Sequence, residues 1–213
     1  MQQKKRRTLK EAMAQSESIR MFKSDFLERL SHVHPATPFV IYIPVILLSL
    51  YYGHTELKLQ MQSISISFFT GMVLWTLAEY LIHRFIFHIP PKNRFFKSVY
   101  FYTHGIHHEA PNDATRLVMP PGASIPLAVL FFYLFRNVAG NYGVPLFAGF
   151  VTAYLIYDFI HFSTHFFNWP YSWFRYLKKN HMRHHYVSSE TNFGLSSPLW
   201  DFVFGTYYNP KKK

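Results

Sequence analysis

Four long apolar runs, separated by polar and mostly basic segments, restrict this chain more than any other feature. They cover Phe39 to Tyr52, Ile64 to Leu81, Ile125 to Phe135 and Val144 to Ile160. Each is near or below the roughly 20 residues that carry a helix across a bilayer. A lipid-embedded backbone must satisfy its own hydrogen bonds, so runs of this kind fold as helices. Short connectors join the first run to the second and the third to the fourth, which predicts two helical hairpins. The shortness leaves a choice between four thin crossings and two hairpins that stop short of spanning. Four crossings fit the charge distribution better.

Of the 22 Lys and Arg residues, 20 lie in residues 1–38, 83–122 and 161–213. The connectors 53–63 and 136–143 hold one each, Lys58 and Arg136. By the positive-inside rule, the three basic segments and both termini share the cytosolic side. This sorting accounts for the formal charge of +11 without nucleic acid as a partner. Charged residues make up only 15% of the chain and aromatics 20%, against about a quarter charged in soluble domains. There is no cysteine, so disulfides and thiolate ligands are excluded. Residues 1–38 read as a basic segment in which Thr8 to Leu30 form an amphipathic helix, with Met13, Ile19, Phe22, Phe26 and Leu30 along one face. Such a helix ahead of a span either lies at the lipid interface or packs on the domain. The interface is the expected placement, with residues 39–213 forming the membrane domain.

Ten of the 13 histidines fall in clusters within the same-side segments. HRFIFH holds His83 and His88, and THGIHH holds His104, His107 and His108. HFSTH holds His161 and His165, and HMRHH holds His181, His184 and His185. On a helix, positions i, i+3 and i+4 share a face, so HxxHH presents three imidazoles to one side. His83 and His88 are five apart and diverge by roughly 140° on a regular helix. Either the helix breaks between them or they serve different metals. Ten clustered imidazoles cannot all carry protons near neutral pH without strong mutual repulsion. Neutral ring nitrogens binding cations remove that conflict, and imidazole suits iron, zinc, copper and nickel. Ten ligands exceed the need of one ion, so two metals are expected. His32, His34 and His54 lack such company and read as ordinary residues.

Glu79 precedes His83 by four residues, and Asp158 precedes His161 by three and His165 by seven. Those spacings put each acid on the helix face of a proposed ligand. Orienting a histidine by accepting its second N–H is the expected role of both, with direct ligation or a plain helix-end acid as the alternatives. Tyr171, Trp173, Phe174 and Tyr176 form either an interfacial belt, part of a substrate entrance, or core packing. Arg116 meets either a lipid headgroup or a salt-bridge partner.

The set HRFIFH, HGIHHEAPNDATRLVMPP, YDFIHFSTH and KNHMRHHY, followed by NFGLSSPLWDFVFGT, resembles the fatty acid hydroxylase superfamily of membrane di-metal enzymes. Within it the chain is most similar to the sphingolipid fatty acid 2-hydroxylases, on the stretch RLVMPP and the tail from Phe193 to Thr206. The likeness covers Thr76 to Thr206. It implies an all-α integral membrane fold with four transmembrane helices and a cytosolic helical cap. It also implies a di-metal centre ligated by the ten clustered histidines. Iron is the expected working metal, with zinc possible in purified protein. O2 is the co-substrate and the metals do the chemistry, so no separate acid or base is assigned and the substrate-binding residues are left open.

The expected reaction is monooxygenation at carbon 2 of a fatty acyl chain, free or N-linked in ceramide. The carbon beside an acyl carbonyl lies close to the headgroup level, where a cytosol-facing centre would sit. A sterol or carotenoid oxidase of the same superfamily is the alternative, and a non-enzymatic membrane metal-binding protein a more distant one. Many relatives carry an N-terminal haem domain related to cytochrome b5, for which 38 residues are too few. A separate electron donor, cytochrome b5-like or ferredoxin, is therefore the expected partner. An endoplasmic reticulum membrane and a bacterial inner membrane fit equally well.

Overall fold

The computed structural model describes residues 18–90 and 92–210 of the chain. Among these residues the fold is helical, with no strand. In order, the elements are α1 (Asp25–Ser31), α2 (Thr37–Thr55), α3 (Met61–Ile82), α4 (Arg94–Tyr100), α5 (Ile106–Glu109), α6 (Pro121–Ala139), α7 (Gly143–Phe166), α8 (Ser172–Tyr186) and α9 (Leu199–Val203). Two π-helical turns, His83–Phe87 and Phe101–Gly105, extend α3 and link α4 to α5. Of the helix expected over residues 8–30, residues 8–17 lie outside the described residues. Residues 18–24 run without helical turns, and only Asp25–Ser31 is helical.

Three stretches are long and apolar enough to cross a membrane: Thr37–Thr55, Met61–Phe87 and Pro121–Phe166. The last is two helices rather than one. Gly140, at φ 56° and ψ -131°, takes a positive-φ conformation that glycine adopts readily, and it ends α6. A short 3-10 turn, Gly140–Tyr142, then leads into α7. Ring pairs fold the two against each other, with Phe131 against Phe150 at 4.6 Å and Phe132 against Phe147 at 5.3 Å.

Helix α7 is the axis of the bundle, with 18 of its 24 residues buried. Helices α2, α3 and α6 pack around it. By contrast α2 buries only Pro38, Tyr42 and Gly53, and its outer face exposes Val40, Leu47 and Leu48. Between apolar helices in lipid, attraction comes from close packing rather than from water exclusion, so small residues at the contact matter. A Cβ on Gly149 would lie 1.8 Å from the Phe68 carbonyl oxygen, and one on Gly71 would lie 1.9 Å from that of Leu146. Only glycine lets these backbones approach so closely. Trp75 then seats edge-on against Phe150 (5.1 Å) and Tyr154 (5.2 Å).

These contacts advance together along both helices, from Phe68 with Gly149 to Trp75 with Tyr154. Helices α3 and α7 therefore run parallel, and both C-terminal ends emerge at one end of the bundle. His83 follows α3 directly, and His161 and His165 close α7.

Candidate metal centre

The π turn resolves the five-residue spacing of the first motif. Its wider turn is closed by the His88 N–H donating to the His83 carbonyl at 3.1 Å, an i to i+5 bond. The two rings consequently sit on one side, 5.0 Å apart. A second π turn brings Phe101 to Gly105 into α5, so that His104, His107 and His108 enter the same space. Helix α8 arrives from the other side with Phe174, Leu177, His181 and His184 buried.

All ten clustered histidines meet, in two sets of five. The first set is His83, His88, His104, His108 and His184; the second is His107, His161, His165, His181 and His185. Each ring offers one nitrogen, and within a set these atoms lie within 4.8 Å of one another. The two HxxHH motifs are interleaved. His104 and His108 join the first set while His107 crosses to the second. His181 and His185 join the second while His184 crosses to the first. On α8 the geometry is that of the helix itself: i and i+4 are about 40° apart, whereas i+3 and i+4 are about 100° apart. The sets adjoin where His108 stacks on His185 at 4.3 Å. His32, His34 and His54 stay outside; His32 bonds Thr115 and His34 accepts from the Ala36 N–H.

The rings are neutral donors. Burial in low dielectric disfavours the imidazolium form, and neighbouring histidines add to this for most of the set. Desolvation, with His108 nearby, pushes His88 down to about 3, and desolvation pushes His108 down to about 4. His104, His107, His181 and His184 lie well below the ordinary value of 6.5 for the same reasons, burial first.

The donor set fits metal ions. His83 Nδ1 lies 2.6 Å from the Phe193 carbonyl oxygen, and His184 Nδ1 lies 2.7 Å from that of Thr191. A carbonyl only accepts, so both Nδ1 atoms carry hydrogen and both Nε2 atoms present lone pairs. These lone pairs face further ring nitrogens: His83 Nε2 lies 3.1 Å from His104 Nε2, and His184 Nε2 lies 2.9 Å from His88 Nε2. In the second set His107 and His161 Nε2 are 3.0 Å apart, and His165 and His181 Nε2 are 2.8 Å apart. Five ring nitrogens so convergent cannot all be satisfied by N–H···N pairing. A cation at the focus of each set satisfies them together.

Glu79 serves differently from the expectation. Glu79 is buried, and it accepts the backbone N–H groups of Leu195 (2.6 Å) and Ser196 (2.9 Å) and the Ser196 hydroxyl, not a histidine. It thereby holds the loop whose Phe193 carbonyl orients His83. The peptide N–H groups outcompete the ring because the loop lies directly over the α3 terminus. Asp158 is buried one helical turn before His161, and its Oδ2 has no hydrogen-bond partner.

Several contributors to the site carried no role in the sequence reading. Asp201, fully buried, accepts from the Phe193 N–H (2.9 Å), the Gly194 N–H (2.8 Å) and the Thr206 hydroxyl (2.7 Å). Asn192 adopts φ 56° between the two orienting carbonyls, and its side-chain oxygen accepts the Tyr208 N–H. Trp200 donates to Thr76 at 3.0 Å and docks this tail on α3. A polar residue in NFG, ahead of a buried-looking aspartate, was the available signal.

Arg116 takes the salt-bridge option. Its buried guanidinium pairs with Glu28 and bonds the Ile19 carbonyl, strapping the N-terminal arm across the loop after His108. Desolvation opposes ionisation of Glu28, but the Phe22 and Met21 N–H groups and Arg116 outweigh it and hold the carboxyl at about 2. Phe174 is fully buried, whereas Tyr171, Trp173 and Tyr176 are exposed, so the four aromatics divide between core and surface.

Comparison with known proteins places these residues in context. Residues 68–206 match the family model described as fatty acid hydroxylase. The chain is 36% identical to the fatty acid 2-hydroxylase of Rattus norvegicus, over 88% of its own length and 56% of that protein's. It is 36% identical to the dihydroceramide fatty acyl 2-hydroxylase FAH2 of Arabidopsis thaliana, over 89% of its own length and 80% of that protein's. A solved structure of full-length scs7p, in which only the hydroxylase domain is visible, superposes with a TM-score of 0.82 at 34% identity. That match covers 88% of this chain and 71% of the other. The chain thus spans little more than half the length of the rat protein.

Proposed function

The chain belongs to the fatty acid hydroxylase family, and from that premise we propose that it hydroxylates carbon 2 of a fatty acyl chain, free or N-linked in a sphingolipid. The observation that carries this reading is the convergence of ten neutral imidazoles into two adjoining sets of five at one end of an apolar bundle. The first set would hold one metal ion and the second set the other, with iron as the working metal. So held, the pair supplies the oxidant: one atom of O2 enters a C–H bond, and the other leaves as water with two electrons and two protons. The protein's own residues position the ligands, keep them neutral and enclose the site.

An apolar groove of about 460 Å³ between α2 and α7 supports an acyl substrate. Phe39, Ile43, Leu47, Leu155 and Phe159 are among its walls, and Phe159 stands two residues before His161. Phe159 (exposed) and His161 (buried) point to opposite sides of α7, so a chain seated there would run along the outside of the bundle with its Phe159 end at the level of the histidines. The reading includes four crossings, with α6 and α7 as separate spans, and the histidine end at the cytosolic face. The basic sorting of the loops supports it. Helix α1 buries no residue and exposes Phe26, Leu27 and Leu30, which supports placing it on the lipid surface. Both an endoplasmic reticulum membrane and a bacterial inner membrane accommodate this topology.

The electrons come from a partner carrying one-electron centres, a cytochrome b5-like protein or a ferredoxin. Helix α8 offers it a face: Arg175, Lys179 and Arg183 follow at i, i+4 and i+8 on the side opposite His181 and His184. Its 15 residues contain no acid. An acidic carrier docked there lies about one helix diameter from the ligands.

The test is expression in a host that makes ceramide but lacks its own 2-hydroxylase, followed by lipid mass spectrometry. Gain of one oxygen atom on the N-acyl chain, mapped to carbon 2, is expected. An unchanged acyl pool beside an oxidised sterol or carotenoid overturns the proposal.

A further inference from the structure

The segment from Thr191 to Ser196 serves one histidine set only. Its carbonyls at 191 and 193 take the Nδ1 hydrogens of His184 and His83, both members of the first set. Asn192 between them sits in the left-handed region at φ 56°, a conformation that asparagine tolerates better than most residues. In the second set the Nδ1 atoms of His161, His181 and His185 are buried with no hydrogen-bond partner, although the Leu117 backbone lies beside His161; in the first set only the Nε2 of His108 is so placed among the described residues.

The segment is itself held from both sides. Four successive backbone N–H groups, those of Phe193, Gly194, Leu195 and Ser196, are bonded by two buried carboxylates, Asp201 for the first pair and Glu79 for the second. The Asp201 carboxylate oxygens face donors alone, so an amide in its place would set its own N–H against another. Glu79 comes from α3 and Asp201 from α9, so the brace joins the bundle to the tail.

We propose that this braced segment is a positioning device for the first histidine set, and that it makes the two metal positions unequal. Rings fixed in tautomer and direction before the metal arrives are the better ligands. The first position therefore retains its ion, and the second exchanges first. The inference rests on the two-metal reading above and adds an order between the two ions.

The test uses the full chain in detergent, loaded with Zn(II) and challenged with a chromogenic chelator. Wild type is expected to hold two equivalents and release them in two phases. His185→Ala removes the fast phase and His88→Ala the slow one, which assigns them. Asp201→Asn is expected to speed the slow phase about 10–100-fold and leave the fast phase unchanged. Asn192→Gly, which accepts the left-handed turn, keeps the slow phase, whereas Asn192→Val, which does not, speeds it. The Asn192 pair carries the test alone if Asp201→Asn fails to fold.

Fewer than two equivalents in wild type overturns the two-metal reading, and this inference with it. Two equivalents released in a single phase, or both phases sped equally by Asp201→Asn or Asn192→Val, overturn the inference alone.

Discussion

Trp75 and His83 stand about two turns apart along α3 and its extension, in surroundings that share little. Trp75 is packed among the rings of Phe150, Tyr154 and Tyr157. His83 is packed among His88, His104 and His184, and a loop carbonyl takes its proton. The bundle around Trp75 is secured by shape, with glycines that let helices touch. The cap around His83 is secured by directed hydrogen bonds to buried carboxylates and by a need for cations. Shape tolerates changes of pH and chelation. A polar network with unmatched nitrogens does not. Losing the cap should leave the bundle standing, while losing the bundle should take the cap with it.

The strongest test of that asymmetry removes a ligand. His107→Ala or His184→Ala should abolish hydroxylation and lower bound metal, with helical circular dichroism retained. A global loss of helix would show that the cap supports the bundle after all. Next in size is Gly149→Ala, whose new methyl meets the Phe68 carbonyl. Forcing α3 and α7 apart should cost about 1–3 kcal/mol or more, read as lower thermal stability together with lower metal content. Normal stability would mean the glycine contact is slack.

Acid gives a graded version of the same contrast. In the folded cap His88 and His108 titrate near 3 and 4, below the 6.5 of an unfolded imidazole, chiefly through desolvation. The unfolded chain therefore binds more protons between those limits. Cap stability is fully present above pH 6.5 and is lost as pH falls toward 4. Metal-stripped protein should open at the cap near pH 5, seen as proteolysis around residues 188–198, while the helical signal persists. Smallest of all is His54→Ala, on the exposed end of α2, expected to alter stability by less than about 0.5 kcal/mol and metal content not at all. A marked loss of metal there would undo the division of histidines into ligands and bystanders.

What the sequence made legible follows the same divide. Apolar runs and histidine spacing are local signals, so the helices of the bundle and the membership of the ten-histidine cluster could be read directly. The expected runs fall inside α2, α3, α6 and α7. The π turn at His83–Phe87 could not be read, since nothing in HRFIFH favours an extra residue per turn over a break. The partners of Glu79 lie 116 and 117 residues away, and such a pairing exists only once the tail has folded back. Arg116 and Glu28 are 88 residues apart and escaped for the same reason.

The parallel course of α3 and α7 has an electrostatic consequence. Both ligand sets are built from uncharged rings, with no carboxylate to offset a cation. Each long helix, however, ends here with its carbonyls outward, the equivalent of about half a negative charge at its C-terminus. His161 and His165 lie in or near the last turn of α7, His184 and His185 in the last turn of α8, and His88 caps the π turn that extends α3. Three macrodipoles thus converge with their negative poles on the place where positive charge would be stored.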